Sequence, residues 1–168
     1  HPARFVLIGS GNPEEGELRP QLLDRFGLSL EVKTPEDVAT RIEVVKRRMA
    51  FEQDRAAFRE RYAEDERALT QKLSEAKARL PEVAMPDSAV ARAAALCQSL
   101  GTDGLRGELT LMRAARAAAS LEGATEVEDA HLRAVAALSL RHRLRRNVLD
   151  EVGSAARVDK AIEEVFGA

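Results

Sequence analysis

The chain has 168 residues, 45% of them hydrophobic and 32% charged, with a net charge of −2. That balance excludes a disordered polymer, and at roughly 100–200 residues per domain the length excludes anything beyond one domain or two small ones. With 26 Lys and Arg against 28 Asp and Glu, the chain lacks the basic footprint of a nucleic-acid binder. Its single cysteine, Cys97, rules out an internal disulfide framework and fits a reducing compartment. No uncharged apolar run approaches the ~20 residues that span a bilayer. Aromatics make up 4%, with no Trp, so the core must be built from Leu, Val, Ile and Ala, which suits helix-on-helix packing.

In chain order, Phe5, Val6, Leu7 and Ile8 form a short apolar run closed by Gly9, Ser10, Gly11, Asn12 and Pro13. This pattern predicts a strand buried on both faces, of the kind found in parallel sheets, followed by a turn. Leu28, Leu30 and Val32 mark a second strand over 28–32, and two strands alone make no stable sheet. The chain also opens at His1 without Met, so it reads as the C-terminal part of a longer protein. Between the strands, 19–26 predicts a short helix with Leu22, Leu23 and Phe26 inward.

Thr34 and Pro35 open the next region as cap and first helical residue. From there to Leu80 only Pro35 interrupts, and no Gly occurs. One helix of that length would reach roughly 70 Å, so a break is expected near 61–64. Val38, Ile42, Val45 and Met49 form an apolar stripe, whereas 54–79 is dominated by mixed charge and suits a partly solvated strut. After Pro81 and Pro86, Asp87 caps a helix to Leu100, stopped by Gly101. A second helix covers 105–121. Thr125 and Glu128 fit a capping box for a third running to about Arg146, and a last helix spans about 155–166. The expected division is 1–33 as the end of an α/β core, 34–80 as a helical linker and 81–168 as a helical bundle, the whole being mainly α.

Few residues offer chemistry. The loop at 9–16 lacks the Lys and Ser/Thr of a P-loop and the glycine spacing of a dinucleotide fingerprint. Asn12, however, follows a strand at the carboxyl edge where sheet ligands bind. Taken alone, an Asn before a Pro is an ordinary turn residue. Arg25 beside Asp24 reads as a surface ion pair, or as a planar fork presented to a phosphate, a role for which Arg19 competes. Arg106 opens a helix, against the sense of the dipole, which hints at an anionic partner. His1, His131 and His142 share no metal-ligand spacing and read as solvated or half-buried. Residues 141–146 form a basic cluster suited to a helix C-terminus or a partner contact. Cys97 reads as core.

The strand with Gly9–Gly27, the helical insertion and the Gly104-Leu105-Arg106-Gly107-Glu108-Leu109 helix start together resemble the AAA+ ATPases of the chelatase group. The resemblance implies that Asn12 is sensor 1, Arg25 the arginine finger and Arg106 sensor 2. These three are both the catalytic and the nucleotide-binding candidates, with no metal ligand assigned. It implies ATP and Mg²⁺ as cofactors, whose Walker A and B ligands would lie upstream, so that this piece alone should be inactive. In the magnesium-inserting branch of the group, the motor forms a ring, a hexamer by expectation. It works with two partners, the related D component, whose ATPase-like domain is degenerate, and a large porphyrin-binding subunit. It drives Mg²⁺ insertion into protoporphyrin IX for chlorophyll and bacteriochlorophyll synthesis, in a bacterial cytoplasm or a plastid stroma. The alternatives are a non-catalytic helical adaptor, a cobalt-chelatase ATPase or an AAA+ chaperone. A Gly-rich loop with Lys-Ser/Thr before His1 would separate the ATPase from the adaptor.

Overall fold

A computed structural model describes residues 2–3, 5–12, 16, 18–144 and 154–167. The mainly helical class expected from composition is what forms. After the single turn α1 (Pro20–Leu23) come α2 (Val38–Gln53), α3 (Arg55–Arg61) and α4 (Ala63–Arg79), then α5 (Asp87–Leu100), α6 (Arg106–Glu122), α7 (Asp129–Leu140) and α8 (Ser154–Phe166).

The core lies among the last four. α5 buries Ala89, Ala93, Leu96, Cys97 and Leu100, the spacing of one helix face. α6 contributes Leu111, Ala115 and Ala119, α7 contributes Leu132, Ala136 and Leu140, and α8 contributes Val158 and Ala161. The alternation of Leu with Ala lets the helices approach closely while filling the space between them. Gly101 (φ 65) and Gly123 (φ 79) end α5 and α6 in the left-handed conformation, which a Cβ would strain. An isolated parallel bridge pairs Ala84 with Glu126. It tucks Val83 and Val127, each 2% exposed, under the bundle.

α4 is fastened to this bundle at its C-terminal end. Ala76 is buried, the Ser120 hydroxyl donates to Ala76 O (2.6 Å), and Arg79 donates to Ser120 O (3.0 Å). Arg116 donates to Val83 O (2.8 Å) and Pro81 O (3.1 Å), fixing the link between α4 and α5. By contrast α2 and α3 bury no residue. The stripe of Val38, Ile42, Val45 and Met49 faces solvent.

Several boundaries differ from expectation. α2 starts at Val38 rather than at Pro35, because the Asp37 carboxylate accepts from Thr40 N (2.7 Å) and caps better than Thr34 could from further back. The long run breaks at Tyr62 as expected, and also at Asp54, whose extended backbone lets its carboxylate accept from Ala56 N and Ala57 N (both 3.0 Å) and start α3. α7 is capped by Glu128, not Thr125, since Thr125 O and Val127 N are taken by the bridge to Ala84. α7 ends at Leu140 in a 3-10 turn, Arg141–Arg143; the expected continuation through 145–146 lies outside the described residues.

The two predicted strands do not form among the described residues. Phe5 (77% exposed), Ile8 (91%) and Val32 (85%) have neither an apolar cover nor a neighbouring strand, and a strand has no internal partner for its own backbone groups. The segment 19–26 makes one helical turn only, with none of its residues buried.

Leu111 is fully buried at the centre of the bundle. Leu111→Ala should cost about 2–5 kcal/mol, read as a lowered urea midpoint at unchanged slope.

Candidate functional site

The candidate site is a seam where the segment after α1 lies across the open end of the bundle. Its organising group is Arg143. This residue follows the last turn of α7 and is bracketed by buried Leu140 and Leu144, which draws its side chain inward to 3% exposure. The guanidinium then finds an acceptor in each direction. It donates to Ser139 O (2.9 Å) behind, to Asp24 O (2.6 Å) and Asp24 Oδ1 (2.7 Å), to Phe26 O (2.7 Å), and at 3.4 Å to the Thr110 hydroxyl of α6.

Neighbouring groups reinforce the seam. His142 Nε2 lies 3.0 Å from Phe26 O; a carbonyl only accepts, so Nε2 carries the proton and Nδ1 is an unpartnered buried acceptor. Ser29 N donates to Leu138 O (2.9 Å). Gly27 passes so near α6 that a Cβ there would touch Thr110 Cγ2 (3.9 Å), and one at Gly9 would touch the Phe26 ring (4.0 Å). The loop bearing Asn12 is thereby brought alongside the segment bearing Arg25.

Asp24 is shared. Its Oδ1 takes Arg143, while its Oδ2 pairs with Arg106 at the start of α6. Arg106 is set by the residue after it: Gly107 is buried, and a Cβ there would lie 3.3–3.4 Å from Thr102 Oγ1, Cys97 Sγ and Leu140 Cδ2. α6 therefore seats its first turn directly on α5 and α7. Of the three candidates from the sequence, the structure joins Arg106 to Asp24, the neighbour of Arg25, and leaves the Arg25 and Asn12 residues exposed. Arg25 pairs with no acid among the described residues.

The remaining candidates are structural. His131, 4% exposed, accepts from Glu128 N at Nδ1 (2.9 Å) and faces Glu122 Oε2 from Nε2 (3.2 Å), closing the cap of α7. This corrects the reading of it as solvated or half-buried: His131 is buried. Burial and the nearby Glu108 carboxylate push the Cys97 thiol up to about 11, so it is an inert core group at neutral pH. No cluster of His, Cys, Asp and Glu suited to a metal occurs among the described residues. No described helix is long and apolar enough to cross a membrane.

Residues 90–164, covering most of α5 to α8, match the AAA lid domain family. A magnesium-chelatase 38 kDa subunit of Acidiphilium rubrum is 64% identical over 166 residues, covering 99% of this chain and 48% of that protein. The 38 kDa subunit of Cereibacter sphaeroides is 58% identical, covering 99% and 50%, and the magnesium-chelatase subunit ChlI of Anabaena variabilis is 46% identical over 167 residues, covering 99% and 49%. The chain is a relative of these chelatase subunits. It spans about half the length of each. A solved complex between BchI and BchD of magnesium chelatase shares 53% identity, covering 96% of this chain and 48% of that one, at a TM-score of 0.36.

In this chelatase-subunit relative, Arg143, His142 and Thr110 are the seam residues that sequence reasoning missed. Arg143 was hidden in a run of basic residues that the helix dipole alone explains. The available signal was its place between Leu140 and Leu144, four apart on the apolar face of α7 and its extension.

Burial, with the Arg143 charge alongside, holds the His142 pKa below its ordinary value, against the raising effect of Phe26 O. The folded state therefore favours neutral His142, and its contribution to stability is full above about pH 6.5 and lost as pH falls through the lower folded value. His142→Gln, which keeps a donor for Phe26 O, should flatten the fall in melting temperature on acidification below about pH 6.5 relative to the parent.

Proposed function

We propose that this chain carries the sensing, arginine-finger and lid portions of an ATP-hydrolysing AAA+ motor subunit of magnesium chelatase. In that reading 1–33 closes the α/β core, 34–80 is the helical insertion and 81–168 the sensor 2 domain. The observation that carries it is the seam itself. An exposed Arg25 and a surface Arg106 flank one carboxylate, on a segment fastened to a lid. The high identity to magnesium-chelatase subunits supports it.

The donors present fit terminal phosphate oxygens and nothing more of a nucleotide. Arg25 offers an exposed, permanently charged fork, and Asn12 offers an amide at a loop that runs past Phe26. When bound, ATP supplies the γ-phosphoryl group whose transfer to water releases the driving energy. Asn12 orients the attacking water. Arg25, exposed on the segment, neutralises charge on the equatorial oxygens in a neighbouring protomer's site. Arg106 does the same once it leaves Asp24. Because catalysis here is positioning and electrostatics, hydrolysis requires a ring, for which we expect a hexamer. The motor would act with the D component of the chelatase and the large porphyrin-binding subunit to insert Mg²⁺ into protoporphyrin IX, in a bacterial cytoplasm or a plastid stroma.

A non-catalytic adaptor is the second reading, favoured by the solvent-facing stripe of Val38, Ile42, Val45 and Met49 on α2. In the full-length protein, Arg25→Ala should lower ATP turnover by ~10³-fold or more while nucleotide titration shows affinity within a few-fold of the parent. Turnover at the parent rate would reject the finger assignment, and a parent protein with no ATPase activity would favour the adaptor.

A further inference from the structure

We propose that Arg143 is a positioning residue for Arg25. Its buried guanidinium pins the stretch that carries Arg25 and makes finger and lid one body. The inference rests on the reading of Arg25 as a finger. The geometry is specific to that role, since Arg143 holds the carbonyls of residues 24 and 26, one on each side of Arg25, at 2.6 and 2.7 Å. Asp24 O lies in the peptide plane that enters Arg25 and Phe26 O in the plane that leaves Phe26, so the two bonds pin the short stretch carrying Arg25 to the bundle from both sides without touching its side chain.

Within the turn, Arg25 N and Phe26 N donate to Leu22 O (3.0 Å) and Leu23 O (3.1 Å) and set its local shape, but these bonds do not tie it to the bundle. α1 buries no residue, Leu22 is 48% exposed, and Phe26 is only half-buried. The attachment is polar: the Arg143 bonds, His142 to Phe26 O, Ser29 N to Leu138 O, and Arg106 to Asp24. Within this set Arg143 alone is buried and multiply bonded. The Arg106 pair is on the surface, with side chains 55% and 41% exposed. The Arg143 anchor also reaches Ser139 and Thr110, the end of α7 and the first turns of α6, so any movement of the lid carries Arg25 with it.

The test uses the full-length protein with Arg143→Ala, Arg143→Lys and Arg25→Ala, followed by steady-state ATPase kinetics and amide hydrogen exchange. Arg143→Ala should lower kcat by about 100-fold, the size of effect a displaced catalytic group produces, with KM for ATP within about twofold of the parent. Exchange at Ser29 N should accelerate roughly 100-fold, as a locally opened segment would show. Arg143→Lys, which keeps the charge but loses the fork, should recover part of both. Arg25→Ala should lose turnover with exchange at Ser29 unchanged. Where Arg143→Ala fails to show a cooperative thermal transition, Arg143→Lys carries the same test at smaller amplitude. Faster exchange with kcat within about twofold of the parent overturns the proposal, as does a fall in kcat with unchanged exchange. If Arg25→Ala keeps full turnover, the finger reading fails instead, and the exchange data still show whether Arg143 holds the segment.

Discussion

The candidate site depends on one buried cation. A guanidinium with 3% exposure cannot shed its charge, so it must be met by acceptors or destabilise the fold. Arg143 meets it with main-chain and side-chain oxygens drawn from three places: its own helix, α6 and the segment after α1. Removing one member of such a set leaves a desolvated partner and costs about 3–5 kcal/mol, several times the worth of a surface ion pair. The position of Asp24, Arg25 and Phe26 is therefore not chosen by those residues. It is dictated by the need to satisfy an arginine more than a hundred positions later in the chain.

That demand is useful only because the other end of the arginine is rigid. Leu140 and Leu144 flank it inside an apolar core in which α5 and α6 are closed by the left-handed Gly101 and Gly123. Gly107 brings α6 against α5 and α7 at distances that leave no room for a methyl group without movement. α4 is fixed to the same body through Ser120, Arg79 and Arg116. The gradient along the chain is clear: residues near α5 to α8 are held by burial, those at the seam by polar bonds, and α2 by neither. A stripe as apolar as that of α2, left in solvent, is a surface that water penalises.

The bundle was legible in the sequence because helix ends are local events. Gly101 and Gly123 stop helices wherever they are, and the Leu and Ala spacing of α5 to α7 repeats at the period of a buried helix face; Asp87, expected as the cap of α5, is instead its first residue, with Pro86 at the cap and no side-chain cap bond. The misplaced boundaries have a common cause. Asp37 and Asp54 out-compete the expected signals as caps, and Thr125 and Val127 are claimed by Ala84, forty residues away. The candidate residues Asn12, Arg25 and Arg106 came from a family pattern, and periodicity alone would not have separated them from surface polar groups. Arg143 was illegible for a deeper reason. Its meaning lies in acceptors 117 to 119 positions away, and no local window contains them.

The two arginines on Asp24 are unequal, and the inequality has a direction. Arg106 and Asp24 meet in solvent, where water screens the pair and its worth is about 0–1 kcal/mol. Arg143 and Asp24 meet with the arginine fully desolvated and hydrogen-bonded elsewhere as well. An anion approaching this face, whether a phosphate or any other multiply charged group, therefore competes for Arg106 first and at small cost. A guanidinium bound by two oxygens of a phosphate gains more than it leaves behind. When Arg106 departs, Asp24 keeps Arg143, and the carbonyls on either side of Arg25 keep theirs. The seam can thus release one cation to a ligand without loosening the segment that presents the other, provided the exchangeable arginine is the exposed one and the permanent arginine the buried one. That is the arrangement found.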